Sequence, residues 1–249
     1  MTQKRLTRVA VPSATVTQMV LHASGAPEAK PALVDACEGT ALTYAELIST
    51  TAAASAGLVR RGVRTGDVAA VHASSVREYV LALHTLVAAG AAAVPLPADA
   101  PVEELADRLT DCDARLLMTA PSLADDALAA TERSRVRQVF AFGQVPGTTP
   151  YAELLSDGPR PEPAIDPPRD LALIFCETAP LGQPPTTTAL THAQWVAELR
   201  DLLGVAVDCG VVFVPPPRRP DRAYAVTIDL ALVLGATLLT VDDPGCQGP

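Results

Sequence analysis

Residues 175–192, FCETAPLGQPPTTTALTH, gather the side chains of this chain best able to do chemistry. Cys176, Glu177 and His192 offer a thiol, a carboxylate and an imidazole as nucleophile, acid or base. A thiol nucleophile needs a base within hydrogen-bond reach. His192 stands where a helix is predicted to begin, and the positive end of a helix lowers an imidazole pKa, leaving a neutral base. Against this, Cys176 closes an apolar strand, where a small buried thiol is the ordinary occupant. Thr178, Gly182, Thr186, Thr187 and Thr188 offer hydroxyl donors and one permissive backbone position, as a loop that cradles phosphate would. A β-prone extended segment explains the three consecutive threonines equally well.

The rest of the loop opposes a polyanion. Pro180, Pro184 and Pro185 have no N–H to donate. The carboxylate of Glu177 at ~4 Å from a phosphate charge would oppose binding by about 1 kcal/mol in bulk water, and by about 4 kcal/mol at an effective dielectric near 20. Lys4 and Lys30 are the only lysines of the chain, so no lysine can stand in this loop. No nucleotide cofactor is expected. No metal is expected either, because His22, His72, His84 and His192 show no ligand spacing, and Asp242 and Asp243 read as solvated carboxylates of a terminal turn.

The elements that must position this loop alternate between helical and strand-like apolar spacing, the pattern of an α/β fold with mostly parallel sheets flanked by helices. Thr43-Tyr-Ala-Glu46, Ser75-Val-Arg-Glu78 and Thr191-His-Ala-Gln194 each fit the capping box. They predict helices over Tyr44–Arg61, Val76–Ala89 and His192–Leu203, and a last helix is predicted from Arg222. Short buried strands are predicted from Val68, Ala92, Arg115, Val136, Leu171, Val211 and Ala236. The apolar run Tyr79–Pro97 divides at Gly90 into helix, turn and strand rather than crossing a membrane. DGPRPEPAIDPPRD, Asp157 to Asp170, reads as an extended connection. The predicted division is a first subdomain over 1–158, a proline-rich linker over 159–169 and a partial second subdomain over 170–249.

Composition narrows the function classes. With 249 residues, 49% of them hydrophobic, the chain can bury a sizeable core without staples. A formal charge of -9 and the absence of a basic stripe argue against nucleic acid. Five scattered cysteines without a C-x-x-C pair suggest reduced thiols in a cytoplasmic protein. Polar residues and Pro12 interrupt the N-terminal stretch where a signal peptide would need an apolar core.

Taken together, PALVDACEGTALTYAEL, the G-V-x-x-G-D turn from Gly62 to Asp67, AGA-x-x-VPL from Ala89 to Leu96 and DARLLMTAP resemble the opening of the adenylate-forming ligases. That superfamily comprises acyl-CoA synthetases, peptide-synthetase adenylation domains and luciferases. In it, a DLALI-like strand leads into a Ser/Thr/Gly-rich loop ending in P-K-G, then L-T-H. Asp170–Ile174 and Leu190–His192 match these flanks, while the loop between them lacks the lysine and all glycines but Gly182. A second departure is VFVPPPRRPD from Val212, where the resemblance implies an aromatic-His turn walling the acid pocket. Arg218, Arg219 and Arg222 there read as a solvated turn rather than an anion patch. The resemblance also implies that adenine, ribose and magnesium motifs, and a small domain with a catalytic lysine, would follow Pro249.

The expected function is therefore that of a truncated, adenylation-defective relative acting as a binding or partner protein in natural-product biosynthesis. Expected partners are an acyl or aromatic acid, a carrier protein or a complete ligase. Two alternatives stay open: an enzyme reusing the old acid pocket, or a split ligase completed by a second chain. The resemblance implies that the strand from Ala236 lacks its usual neighbours, and a long unpaired edge together with the apolar helix from Ala223 to Leu234 is expected to drive homodimer or hetero-complex formation burying at least about 1,000 Å².

Overall fold

A computed structural model describes residues 14–22, 25–37, 39–159, 161–177, 186–206 and 210–240. The three capping boxes are formed. Thr43 opens α1 (Tyr44–Arg60), Ser75 opens α2 (Val76–Ala88) and Thr191 opens α5 (His192–Leu203). In each, the cap hydroxyl accepts from the N3 backbone N–H at 3.2 Å while the N3 side chain accepts from the cap N–H. Helix ends fall within one residue of expectation, as fraying termini do. The shorter helices α3 (Val102–Asp111) and α4 (Ala124–Thr131) follow, and Asp221 caps α6 (Arg222–Val233).

Short strands, the central ones apolar and buried, assemble into two sheets. The seven-stranded sheet runs in the order β7 (Thr149–Pro150), β6 (Gln138–Ala141), β5 (Leu116–Thr119), β3 (Val68–His72), β4 (Ala92–Pro95), β8 (Leu171–Glu177), β9 (Thr186–Thr191). The smaller sheet runs β10 (Val211–Val214), β11 (Thr237–Thr240), β1 (Pro31–Asp35), β2 (Thr40–Thr43). Only β8–β9 and β1–β2 pair antiparallel, so both sheets are mostly parallel as expected. Between α2 and β4, Gly90 takes φ +84, and a Cβ there would lie 2.7 Å from Thr65 Oγ1. The run from Tyr79 to Pro97 is thus helix, turn and strand, and among the described residues no helix is long and apolar enough to cross a membrane.

Sheet topology crosses the proline-rich stretch. The proline-rich stretch does not divide the sheets: β8 and β9, which follow it, extend the sheet of β3–β6, while β10 and β11 extend that of β1 and β2. Crossing connections of this kind give a larger hydrophobic core that takes residues from Val16 to Leu238, with a second, smaller one around Val94, Leu105, Leu109 and Leu117. The strand Thr237–Thr240 has a neighbour on each side. β11 lies between β1 and β10, parallel to both, and buries Leu238 and Thr240 on one face. Among the described residues β10 is an edge strand of this sheet, and its Val211 and Phe213 are exposed. Helix α6 is no bare apolar face, since Ala225, Ile228, Ala231 and Leu232 are buried.

Candidate functional site

The strands β4 and β8 lie side by side and parallel, so their carboxyl ends open on the same edge, where α/β sheets present ligands. A cleft of about 460 Å³ lies there, walled by Pro97, Arg108, Phe175, Cys176, Arg219 and Asp221. The carboxyl end of β8 leads into the loop singled out above. Thr178 and Gly182, with Pro180, Pro184 and Pro185, lie outside the described residues. Glu177 ends β8 opposite Thr186, and Cys176 stands opposite Thr187. Thr186 and Thr187 are exposed and Thr188 is half-buried.

The charges of this cleft are already engaged. Arg108 forks onto Glu104 Oε1 through Nη2 at 2.8 Å and Nε at 3.0 Å, and donates Nη1 to the Cys176 carbonyl at 2.8 Å. Arg219 pairs with Asp99 at 3.0 Å. Arg222 holds Glu198 with both nitrogens of its fork, at 2.7 and 3.1 Å. Asp221 accepts from the Tyr224 N–H at 2.8 Å as the cap of α6. Lys30, the lysine nearest the loop in sequence, donates Nζ to the Gly235 carbonyl at 2.6 Å, where it neutralises the negative end of α6. A polyphosphate entering here would have to strip arginines from carboxylates rather than meet unpaired cations.

The structure does not bring Cys176 and His192 together. Cys176 pairs across the β8–β9 ladder with Thr187, whereas Thr191, next to His192, pairs with Leu171. Four to five residues of strand separate those rungs, roughly 13–17 Å. Burial pushes the Cys176 thiol up, with the Arg108 charge opposing, so the protonated, poorly nucleophilic form is favoured. His192 is fully buried, and its Nδ1 accepts from the Val16 N–H at 3.2 Å. It thereby pins the first described segment onto α5. A nucleophile–base pair of these residues is ruled out by ladder geometry that the linear spacing concealed.

Burial lowers the pKa of His192 to about 4, with Asp170 opposing, and that of His72 in β3 likewise to about 4, with Asp126 opposing. Both are neutral in the folded chain and take up a proton on unfolding once the pH drops below about 6.5. Their contribution is complete above pH 6.5 and is lost as pH falls from there towards 4. Each removes about 1.4 kcal/mol of stability per pH unit within that window. Urea midpoints at pH 7, 6 and 5 should decline steadily, before most carboxylates titrate. A flat profile down to pH 5 would contradict these buried neutral imidazoles.

A second polar group, not foreseen from the sequence, stands behind the cleft wall. Phe175 packs against Trp195, ring centres 5.9 Å apart, and Trp195 Nε1 donates to Asp229 Oδ2 at 2.6 Å. His84 Nε2 lies 3.2 Å from Asp229 Oδ1, outside hydrogen-bonding geometry, and the Tyr79 hydroxyl is buried with no partner. Burial first, then the Asp229 charge, hold the Tyr79 phenol well above its usual range. The readable signal was Asp229 itself, a lone carboxylate inside the apolar run AVTIDLALV. Among the described residues no cluster of His, Cys, Asp and Glu could hold a metal ion.

Comparison with known proteins agrees with this architecture. The family model described as AMP-binding enzyme matches residues 21–176. The L-proline--[L-prolyl-carrier protein] ligase of Streptomyces coelicolor is 31% identical over 206 residues, covering 78% of this chain and 38% of that protein. The apo structure of Mycobacterium smegmatis MbtA superposes with a TM-score of 0.77 at 26% identity, covering 93% of this chain and 44% of that one. A long-chain-fatty-acid-CoA ligase from Archaeoglobus fulgidus shares the fold, with a TM-score of 0.79 at 22% identity over 92% of this chain and 47% of that one. The chain thus spans less than half the length of these proteins.

Proposed function

Because the chain belongs to the AMP-binding enzyme family, its cleft at the ends of β4 and β8 stands where a mononucleotide site is at issue, and we propose that it is a family member that does not adenylate. It serves instead as a binding or partner protein for carboxylic-acid activation in natural-product biosynthesis. One observation carries this reading: the loop of residues 175–192 holds no lysine, and the cations around its base, Arg108 and Arg219, are tied to Glu104 and Asp99. Charge-assisted hydrogen bonds are the strong contacts a phosphate makes, and reassigning those arginines to it would cost their existing ion pairs. The cleft that remains is partly apolar, with Pro97 and Phe175 in its walls, and suits an acyl or aromatic acid better than a nucleotide. The similarity to a carrier-protein ligase supports a carrier protein or a complete ligase as the macromolecular partner. A cytoplasmic location belongs to the same proposal.

ATP–pyrophosphate exchange by the purified chain, tried with aliphatic, aromatic and amino acids, is expected to stay at the rate of a no-protein control. Exchange that grows with protein and acid concentration would overturn the proposal. Self-association is part of the proposal as well, with β10 rather than β11 at the contact, since Phe213 is 70% exposed on that edge strand. Light scattering should show a dimer at micromolar concentration that Phe213→Lys converts to monomer; a monomeric unsubstituted chain would refute it.

A further inference from the structure

At the opposite edge of the seven-stranded sheet, the amino ends of the neighbouring strands β3, β5 and β6 open on a cleft of about 540 Å³. Arg64, Arg115 and Arg137 line it, with Asp67, Leu116 and Gln138. Three guanidiniums at one cleft are unexpected in a chain of formal charge -9. They are also poorly compensated. Arg115 pairs with Asp113 at 2.8 Å, but Asp113 is shared with Arg135 at 3.2 Å. No carboxylate among the described residues pairs with Arg64 or Arg137. Asp67, the one acid lining the cleft, turns its Oδ2 to the Arg64 backbone N–H at 2.8 Å, where it closes the turn before β3.

Gln138 adds chemical detail. Its Nε2 donates to the Arg61 carbonyl at 3.4 Å, and its Oε1 is buried with no partner. An unmatched buried acceptor is satisfied by a ligand that brings a hydroxyl. Planar guanidiniums suit tetrahedral oxyanions, which they grip through paired N–H donors. We infer that this cleft is an anion site for a phosphate that carries its own hydroxyl, either hydrogenphosphate itself or a sugar phosphate, with Arg64, Arg115 and Arg137 holding the oxygens and Gln138 Oε1 accepting the hydroxyl. The site lies a full strand length from the carboxyl-end cleft, and it stands whether or not the proposed function does.

The test is calorimetry on the full chain with inorganic phosphate, sulfate and ribose 5-phosphate at pH 7.5 and matched ionic strength. Phosphate should bind saturably and at least about tenfold more tightly than sulfate, which has no hydroxyl to give. Arg64 and Arg137 are exposed, so Arg64→Ala and Arg137→Ala should fold normally and each weaken phosphate binding about tenfold. Gln138→Leu should bring phosphate down to the affinity of sulfate. Tighter binding of ribose 5-phosphate assigns the site to sugar phosphates, and tighter binding of inorganic phosphate to the free ion. The absence of saturable binding, equal affinity for phosphate and sulfate, or binding unmoved by the two arginine substitutions together would overturn the inference.

Discussion

Replacing Asp229 by alanine is expected to destabilise the chain by about 2–4 kcal/mol, the cost of leaving a buried donor unsatisfied together with that of the space the side chain vacates. Two side chains lose by it, and packing is lost as well. Trp195 Nε1, fully buried, loses its acceptor at 2.6 Å; His84 loses the carboxylate 3.2 Å from its Nε2; and a void opens inside α6. An unsatisfied buried N–H alone costs about 1–3 kcal/mol. Since α2, α5 and α6 each contribute one member, the loss should register as global unfolding, with the melting temperature falling about 2–4 °C per kcal/mol in a chain of this size. Asp229→Asn keeps an acceptor for Trp195 and should cost clearly less. Urea denaturation of both variants decides the matter: an alanine cost below about 1 kcal/mol would mean that this cluster does not bind the helices together.

Gly57→Ala should also be costly, and its sign is the informative part. Gly57 lies within α1, where alanine ordinarily gains about 1 kcal/mol over glycine. Here a Cβ would stand 2.2 Å from the Leu154 carbonyl oxygen and 2.8 Å from the Leu154 Cα. Both are backbone atoms of the 3₁₀ segment Tyr151–Leu155, and Leu154 is itself fully buried. Relief requires that turn to move off α1, so overpacking of about 1–3 kcal/mol or more replaces the propensity gain. That displacement would also strain Arg60, which holds the Ser156 and Pro159 carbonyls at 2.9 and 2.8 Å. A variant as stable as the parent, measured by urea or thermal denaturation, would show that the turn is not seated on Gly57.

Local rules were legible in the sequence wherever the deciding atoms are neighbours along the chain. The helix starts at Tyr44, Val76 and His192 follow from a hydroxyl and a Glu or Gln three residues on, and those bonds form. The break at Gly90 follows from a residue that tolerates φ > 0. What could not be read are the decisions made between distant segments. Thr237–Thr240 became an interior strand because Val211–Val214 and Pro31–Asp35 flank it, a pairing no local pattern announces. Cys176 and His192 look like partners along the chain, but the antiparallel return of β9 sends them to opposite ends of one ladder. His84, Trp195 and Asp229 come from three helices and meet only in the packed core.

The loop reading is different in kind, because it depends on residue types that no fold can supply. A chain whose lysines are Lys4 and Lys30, with Lys30 bound to the end of α6, has no ammonium to place in residues 175–192. The arginines at the cleft are the only route to compensation, and Arg108 and Arg219 already face Glu104 and Asp99. Titration with Mg-ATP of the chain carrying Arg64→Ala and Arg137→Ala, which removes the arginine cleft at the amino ends of the strands, addresses this directly in a calorimeter. No saturable heat up to millimolar nucleotide is the predicted result, and a dissociation constant in the micromolar range would contradict it.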